Sequence, residues 1–177
     1  AEVRDTAPLA RVAQDWAQAS GGERGHSMGR FCPAYLEHQR VFAAFAGNTP
    51  VAFVSFHTGQ LWTLDLMRHA ALPSGEPLPN GTLHALVHAG ILAAIHENAT
   101  HVSLASVPSA AMNIPFAARA IQSSAGLRRF KQAFAPTWHP RYLCARTTLD
   151  LASTIATLAY VIHNPPLLPC PNSIQRK

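Results

Sequence analysis

The stretch at residues 41–69 constrains the fold most, because it contains three apolar runs in succession. The runs VFAAFA and VAFVSF flank the turn residues Gly47 and Asn48, and LWTLDLM continues the pattern. Short runs rich in Val and Phe on either side of a Gly and Asn turn are typical of antiparallel hairpins. The sequence therefore predicts a three-stranded antiparallel meander.

Helices and further strands are predicted on both sides of this meander. Apolar residues at helical spacing, together with proline and glycine positions, define most of them. In chain order they are a helix at 7–19, a helical turn at 33–39, a helix that begins at the N-cap Thr82, a strand at 100–107, a helix at 116–134, a strand at 141–148 and a helix at 150–163. We expect an α+β fold with a mixed, mostly antiparallel sheet flanked by helices.

Length and composition indicate a single domain with a preference for anionic partners. The chain has 177 residues, with a predicted domain at 1–163 and a proline-rich C-terminal tail at 164–177. Fourteen Lys and Arg against nine Asp and Glu give a formal charge of +5, which favours RNA or an anionic lipid surface as a partner. No run of about 20 apolar residues, the length of a membrane-spanning helix, occurs in the sequence. The three cysteines, an odd number without close spacing, indicate no disulfide framework.

Asp65 and Arg68 lie at the end of the third apolar run. An acid and a base there are costly to bury unless they pair or bind something. Because side chains alternate along a strand, residues three apart share a face only if a bulge or the strand end lies between them. We predict that a bulge or the end of the strand brings both side chains to one cleft. The alternative, a structural ion pair at a sheet edge, stays open from the sequence.

His84 and His88 are four residues apart on a predicted helix, which is the spacing that two metal ligands need. The sequence offers no third ligand near them, and ten histidines in one chain make a coincident pair unsurprising. We therefore expect no metal site.

The segment GLRRFKQAFAPTWHPRYL at 126–143 interleaves basic with aromatic residues. Its basic side chains are predicted to be exposed, and its aromatic ones to lie partly on the buried side of a helix. Such a mixture suits phosphate contacts with stacking, or an interfacial apolar contact. The alternative is a helix whose basic face is merely solvated.

Three stretches together resemble one family: Trp16 followed by GERGHSMGRFCPAYL, then FVSFHTG, WTLDLMRH and NGT, then GLRRFKQAFAPTWHPRYLCA. The order of predicted elements is similar to that of the GNAT (N-acyltransferase) fold. The three stretches resemble the C-terminal GNAT-like domain of the phosphatidylglycerol lysyltransferases, or aminoacyl-phosphatidylglycerol synthases, across roughly residues 10–146.

The resemblance implies an aminoacyltransferase. Members of that family carry an amino acid, lysine or similar, from aminoacyl-tRNA to phosphatidylglycerol, which alters lipid charge and gives resistance to cationic antimicrobial peptides. They join a membrane flippase region to two GNAT-like domains at the cytoplasmic face of the bacterial cell membrane. This chain resembles the second GNAT-like domain, so the flippase region and the preceding GNAT-like domain are implied partners. Aminoacyl-tRNA is the implied co-substrate, and no cofactor is implied.

The resemblance also implies site residues. Glu23, Asp65 and Arg68 match the family's amino-acid pocket, and Asp65 and Arg68 are the expected catalytic residues. The residue types of the basic segment, and not the family motifs, give the expected contacts to tRNA or lipid head groups, which are Arg128, Arg129, Lys131, Trp138 and Arg141.

Two other hypotheses stay open from the sequence. The first is a CoA-dependent N-acyltransferase on the same fold, although residues 68–82 lack the Gly-x-Gly or Gly-x-Ala turn that would hold the CoA pyrophosphate. The second is a non-catalytic module that binds tRNA or anionic lipid when isolated.

Overall fold

The computed structural model describes residues 1–22, 29–108 and 118–164, except for the side chains of 118–123 and 163. A short 3-10 turn at Ala7–Leu9 precedes the first α-helix. The elements, in chain order, are β1 Glu2–Val3, α1 Ala10–Ala19, α2 Pro33–Leu36, β2 Arg40–Ala46, β3 Thr49–His57, β4 Leu61–His69, α3 Thr82–His96, β5 His101–Ser103, α4 Ala118–Gln132 and α5 Thr148–His163.

The predicted meander forms the centre of the sheet. Within the described residues the strand order is β1-β2-β3-β4-β5, and β2, β3 and β4 pair antiparallel. Strand β5 lies parallel to β4, with α3 as the connecting crossover. The mixed, mostly antiparallel sheet with flanking helices is therefore confirmed.

Several boundaries differ from the predicted ones. The sequence missed β1, whose two residues pair antiparallel with β2, because two residues carry no readable periodicity. The strand predicted at 100–107 is shorter, at His101–Ser103. The strand predicted at 141–148 was wrong, since residues 141–147 are exposed and form no strand.

The N-terminus of α3 also differs from the prediction. The N-cap is Gly81, at a φ of 89°, a left-handed conformation that favours glycine. The Thr82 hydroxyl, predicted to cap the helix, instead donates to the carbonyl of Pro79 at 2.8 Å.

Each face of the sheet carries its own buried layer. On the face covered by α1, here called the α1 face, Val12 packs with Phe53 and Leu66. On the opposite face, here called the α3 face, the ring of Phe56 lies against Gly90 of α3. A Cβ at Gly90 would come within 2.3 Å of that ring, so only glycine allows this close approach of helix to strand.

The chain divides into two compact units. One comprises residues 1–103 and 145–177, and the other comprises 104–144. Within the second unit, Phe130 of α4 and Phe134, two residues after the helix, stack edge to face with ring centres 5.6 Å apart.

The cysteines that lie in the described residues differ from one another. Cys144 is free and exposed. Cys32 is buried.

Candidate active site

A β-bulge interrupts β4, which is one of the two arrangements predicted for Asp65 and Arg68. The pairs on either side of the irregularity are Val54 with Met67 and Phe56 with Leu64. Two residues of β4, Asp65 and Leu66, therefore lie opposite the single residue Ser55 of β3. The backbone N–H of Leu66 donates to Ser55 Oγ at 3.2 Å. A buried serine thus satisfies a donor that a regular ladder would pair with a carbonyl.

The bulge brings Asp65 and Arg68 to the same face of the sheet. Arg68 lies directly opposite Phe53, which belongs to the layer on the α1 face. The Asp65 carboxylate meets His57, which lies on the same face because it is four residues along β3 from Phe53. The predicted geometry, in which a bulge lets two residues three apart share a face, is confirmed.

The Asp65 carboxylate is held by neutral donors. Tyr35 Oη donates to Asp65 Oδ2 at 3.0 Å, and Gln39 Nε2 donates to the same oxygen at 2.9 Å. His57 Nε2 lies 3.6 Å from that oxygen. The Asp65 side chain keeps 14% of its surface exposed, so its negative charge can be approached from solvent.

Arg68 is buried and points in a fixed direction. Its guanidinium lies over the ring of Trp16 at 3.6 Å from the ring centre. One terminal nitrogen donates to the carbonyl of Met67 at 3.1 Å, and the other donates to the carbonyl of Gly29 at 3.2 Å. Arg68 and Asp65, both described, form no ion pair with each other. The alternative of a structural pair between these two residues therefore does not hold.

Gly29 lies between the two charged side chains. Its carbonyl accepts from Arg68, and a Cβ on its Cα would lie 2.4 Å from Asp65 Oδ1. The position therefore has no room for a side chain while Asp65 stays in place. A glycine here lets the backbone after residue 28 close over the carboxylate.

A short polar network extends from Asp65 towards solvent. Tyr35 Oη lies 2.9 Å from His57 Nε2 as well as contacting Asp65. Burial, and then the neighbouring Asp65 carboxylate, raise the pKa of Tyr35 to about 12. Tyr35 therefore stays protonated near neutral pH, so its hydroxyl remains a donor to Asp65.

The sequence predicts only part of this cluster. Asp65 and Arg68 lie together as predicted, whereas Glu23 lies outside the described residues. The residues that it missed are Trp16 as the partner of Arg68, Gly29, Tyr35, Gln39, Ser55 and His57. All of them except Gln39 belong to the stretches that carried the family resemblance, which was the available signal. Gln39 contacts the site only through the tertiary fold.

The basic segment is partly as predicted. Arg128, Arg129 and Arg141 are exposed. The prediction that Lys131 is exposed was wrong, because the residue is buried, at 3% exposure, and its ammonium donates to the carbonyl of Ser106 at 3.2 Å. Burial lowers the pKa of Lys131 to about 8. Lys131 therefore presents no charge at the surface of its unit.

The chain matches one protein family over most of its length. The profile of the family described as "Phosphatidylglycerol lysyltransferase, C-terminal" matches residues 3–145. The chain belongs to this family. Helix α5 follows the matched part of the domain.

One curated relative carries the same family name. Phosphatidylglycerol lysyltransferase from Bacillus subtilis (strain 168) is 27% identical over 173 residues, which cover 87% of this chain and 19% of the relative. The chain thus spans about a fifth of that protein.

Solved structures confirm the GNAT-like fold of this family member. A C-terminal domain named after lysylphosphatidylglycerol synthetase, from Agrobacterium fabrum, has a TM-score of 0.75 at 21% identity and covers 92% of this chain and 54% of that chain. L-PGS from Bacillus licheniformis has a TM-score of 0.69 at 23% identity, and the match covers 89% of this chain and 51% of that chain. A ribosomal-protein-alanine N-acetyltransferase from Brucella melitensis biovar Abortus 2308 has a TM-score of 0.50 at 18% identity, and the match covers 82% of this chain and 97% of that chain.

Two kinds of feature are absent from the residues that the structure describes. Within the described residues, no helix is long and apolar enough to cross a bilayer. Groups of three or more His, Cys, Asp or Glu that could hold a metal ion are not found there either.

Proposed function

We propose that this domain takes part in the transfer of an amino acid, lysine or similar, from aminoacyl-tRNA to phosphatidylglycerol. The observation that carries the proposal is the state of Asp65, whose carboxylate is fixed by neutral donors and is not paired with Arg68. A carboxylate accepts about four hydrogen bonds, so the two from Tyr35 and Gln39 leave capacity for a charged donor. The α-ammonium or side-chain ammonium of an aminoacyl group is such a donor.

The reaction requires orientation more than activation. The hydroxyl oxygen of the lipid glycerol forms a bond to the ester carbonyl carbon, the bond from that carbon to the ribose oxygen breaks, and the hydroxyl proton passes to the departing ribose oxygen. Because the aminoacyl ester is already activated, we expect no cofactor. A carboxylate that holds the ammonium, with an arginine held rigidly on the same face, supplies the positioning and charge that such a transfer needs.

In the whole protein we propose that this domain works with a preceding GNAT-like domain and a membrane flippase region, at the cytoplasmic face of the cell membrane. The solved chains of similar fold are about twice as long as the part covered here, at 54% and 51% coverage. The expected outcome for the cell is altered lipid charge and resistance to cationic antimicrobial peptides.

The test is Asp65→Asn in the full-length protein, assayed for aminoacyl-phosphatidylglycerol formation from charged tRNA. Asn keeps the shape but removes the charge, and a charged hydrogen bond is worth about 1.5–3 kcal/mol. Each 1.36 kcal/mol of lost transition-state stabilisation lowers the rate about tenfold, so we expect a decrease of at least about tenfold. The matched control is Asp150→Asn on α5, which should keep wild-type transfer.

The melting temperature of both variants should stay near that of the wild type. A folded Asp65→Asn protein with full transfer would show that the Asp65 charge is not needed for transfer and that the residue has only a structural role. Calorimetry with CoA tests the rival chemistry, since micromolar affinity for CoA would favour an N-acyltransferase.

A further inference from the structure

The positive charge of the chain is concentrated in one unit. Residues 104–144 contain no Asp or Glu, and their basic residues are Arg119, Arg128, Arg129, Lys131 and Arg141. The rest of the chain has nine Lys and Arg against nine Asp and Glu. The formal charge of +5 therefore belongs to this unit, while the remainder sums to zero.

Bulky apolar side chains are exposed beside these charges. In the segment that follows α4, Tyr142 is 81% exposed, Leu143 is 61% exposed and Trp138 is 39% exposed. Arg141 precedes Tyr142 directly and is itself exposed. Large apolar residues next to exposed arginines are the composition of surfaces that enter the head-group region of a bilayer.

Trp138 is held in place by α4. Arg128 lies over the Trp138 ring at 5.0 Å from the ring centre. The indole Nε1 of Trp138 donates to Gln132 Oε1 at 2.9 Å. One face of the indole is thus covered by a guanidinium, which limits its use as a stacking platform for a nucleic-acid base. Leu143 has no aromatic face to stack on a base. Both features favour lipid over RNA.

We propose that the unit 104–144 docks on the surface of an anionic bilayer. Trp138, Tyr142 and Leu143 enter the interface, and Arg128, Arg129 and Arg141 contact lipid phosphates. The proposal rests on the proposed function only in the choice of phosphatidylglycerol as the natural anionic lipid. Docking itself requires negative surface charge and an accessible apolar layer, not catalysis.

The first test measures co-flotation of the 177-residue chain with vesicles. We expect binding to phosphatidylcholine vesicles that contain phosphatidylglycerol or phosphatidylserine, and little binding to phosphatidylcholine alone. Replacing Tyr142 and Leu143 by Ser together should weaken binding at least about tenfold. Arg129→Gln should weaken it about fivefold, because one basic residue near an anionic surface contributes about that factor.

Matched controls exist elsewhere in the chain. Leu149 and Tyr160 of α5 are 81% and 68% exposed, so replacing both by Ser removes the same two residue types from outside the unit. Arg11→Gln removes an exposed arginine of α1. Both control proteins should bind vesicles like the wild type. The comparison uses only variants whose melting temperature equals that of the wild type. Equal loss in the controls, or binding that needs phosphatidylglycerol and rejects phosphatidylserine, would overturn the docking surface.

The second test separates docking from chemistry. In the full-length protein, the Tyr142→Ser and Leu143→Ser double variant should lose transfer to phosphatidylglycerol in vesicles but keep transfer to a short-chain, monomeric phosphatidylglycerol. Vesicle binding without any transfer by the wild type would refute the proposed function and leave docking intact. A double variant that binds vesicles normally but loses tRNA binding would assign the surface to RNA and refute docking.

Discussion

The guanidinium of Arg68 lies over Trp16, with its central carbon 3.6 Å from the centre of the indole ring. A side chain of α1 therefore fixes the orientation of a side chain of β4. Cations over aromatic rings are stabilised by about 0.5–2 kcal/mol, and the planar guanidinium stacks in a way that an ammonium does not. Carbonyl groups of Met67 and Gly29 fix the in-plane direction. Arg68 is thus positioned by shape as well as by charge.

Arg68→Lys should lower aminoacyl transfer at least about tenfold, although it keeps the positive charge. Lysine cannot both stack on Trp16 and donate to two carbonyl groups in a plane. The measurement is the rate of aminoacyl-lipid formation by the full-length protein, alongside the melting temperature. Arg11→Lys, at an exposed position of α1, is the control and should behave as the wild type. Full transfer by folded Arg68→Lys would show that charge alone matters.

Gly29→Ala should displace the Asp65 carboxylate. The new Cβ would lie 2.4 Å from Asp65 Oδ1, closer than real contacts allow, so either the carboxylate or the backbone must move. We expect transfer to fall at least about tenfold and stability to fall by about 1–3 kcal/mol, as for other overpacked sites. Denaturant unfolding and the transfer assay measure the two effects.

The matched control for this change is Gly126→Ala in α4. Among the described residues, no atom lies within 4 Å of a Cβ at Gly126, and alanine is the better helix former by about 0.5–1 kcal/mol. Gly126→Ala should therefore keep stability or raise it slightly. If Gly29→Ala changes neither transfer nor stability, as expected for Gly126→Ala, the close approach of Gly29 to Asp65 is not required for function.

Ser55→Ala should destabilise the bulge. The change leaves the buried N–H of Leu66 without its acceptor, and an unsatisfied buried donor costs about 1–3 kcal/mol. In a chain of this size the melting temperature falls by about 2–4 °C for each kcal/mol. Ser153→Ala, at an exposed position of α5, should cause no loss. An unchanged melting temperature for Ser55→Ala would mean that the bulge forms without this hydrogen bond.

Lys131 should make stability depend on pH above neutrality. Its pKa in the folded protein is lowered to about 8 from a model-compound value of 10.5. Between these values the unfolded chain holds a proton that the folded chain has released, so the free energy of unfolding rises as pH increases from about 8 to 10.5. Lys131→Met should abolish this increment, as measured by urea unfolding at pH 7 and pH 10. Parallel pH dependence in the two proteins would contradict the buried position of the amine.

The meander and the bulge were predictable from sequence for physical reasons. Successive apolar runs and the Gly-Asn turn between the first two are local signals, and they carry the pairing of β2, β3 and β4. Asp65 and Arg68 stand out because their spacing contradicts the two-residue period of a strand at the end of an apolar run. A break in a strong local pattern is therefore itself informative.

The neighbours of Asp65 were not predictable in the same way. Tyr35 and Gln39 reach Asp65 from the segment that contains α2, and no periodicity links a helix to a strand about 30 residues away. Lys131, by contrast, carried a signal that was overlooked. It lies four residues after Leu127 and three before Phe134, on the apolar side of α4.

The buried side chains of β4 change from one face of the sheet to the other at the bulge. The first half of β4, with Trp62 and Leu64, faces the same side as Phe56, whereas Leu66 belongs to the layer beneath α1. Neither layer is complete without its half of this strand. We therefore expect the central strands to exchange their amide hydrogens in a single cooperative opening, so that loosening the sheet beneath α3 also disorders Asp65 on the other side.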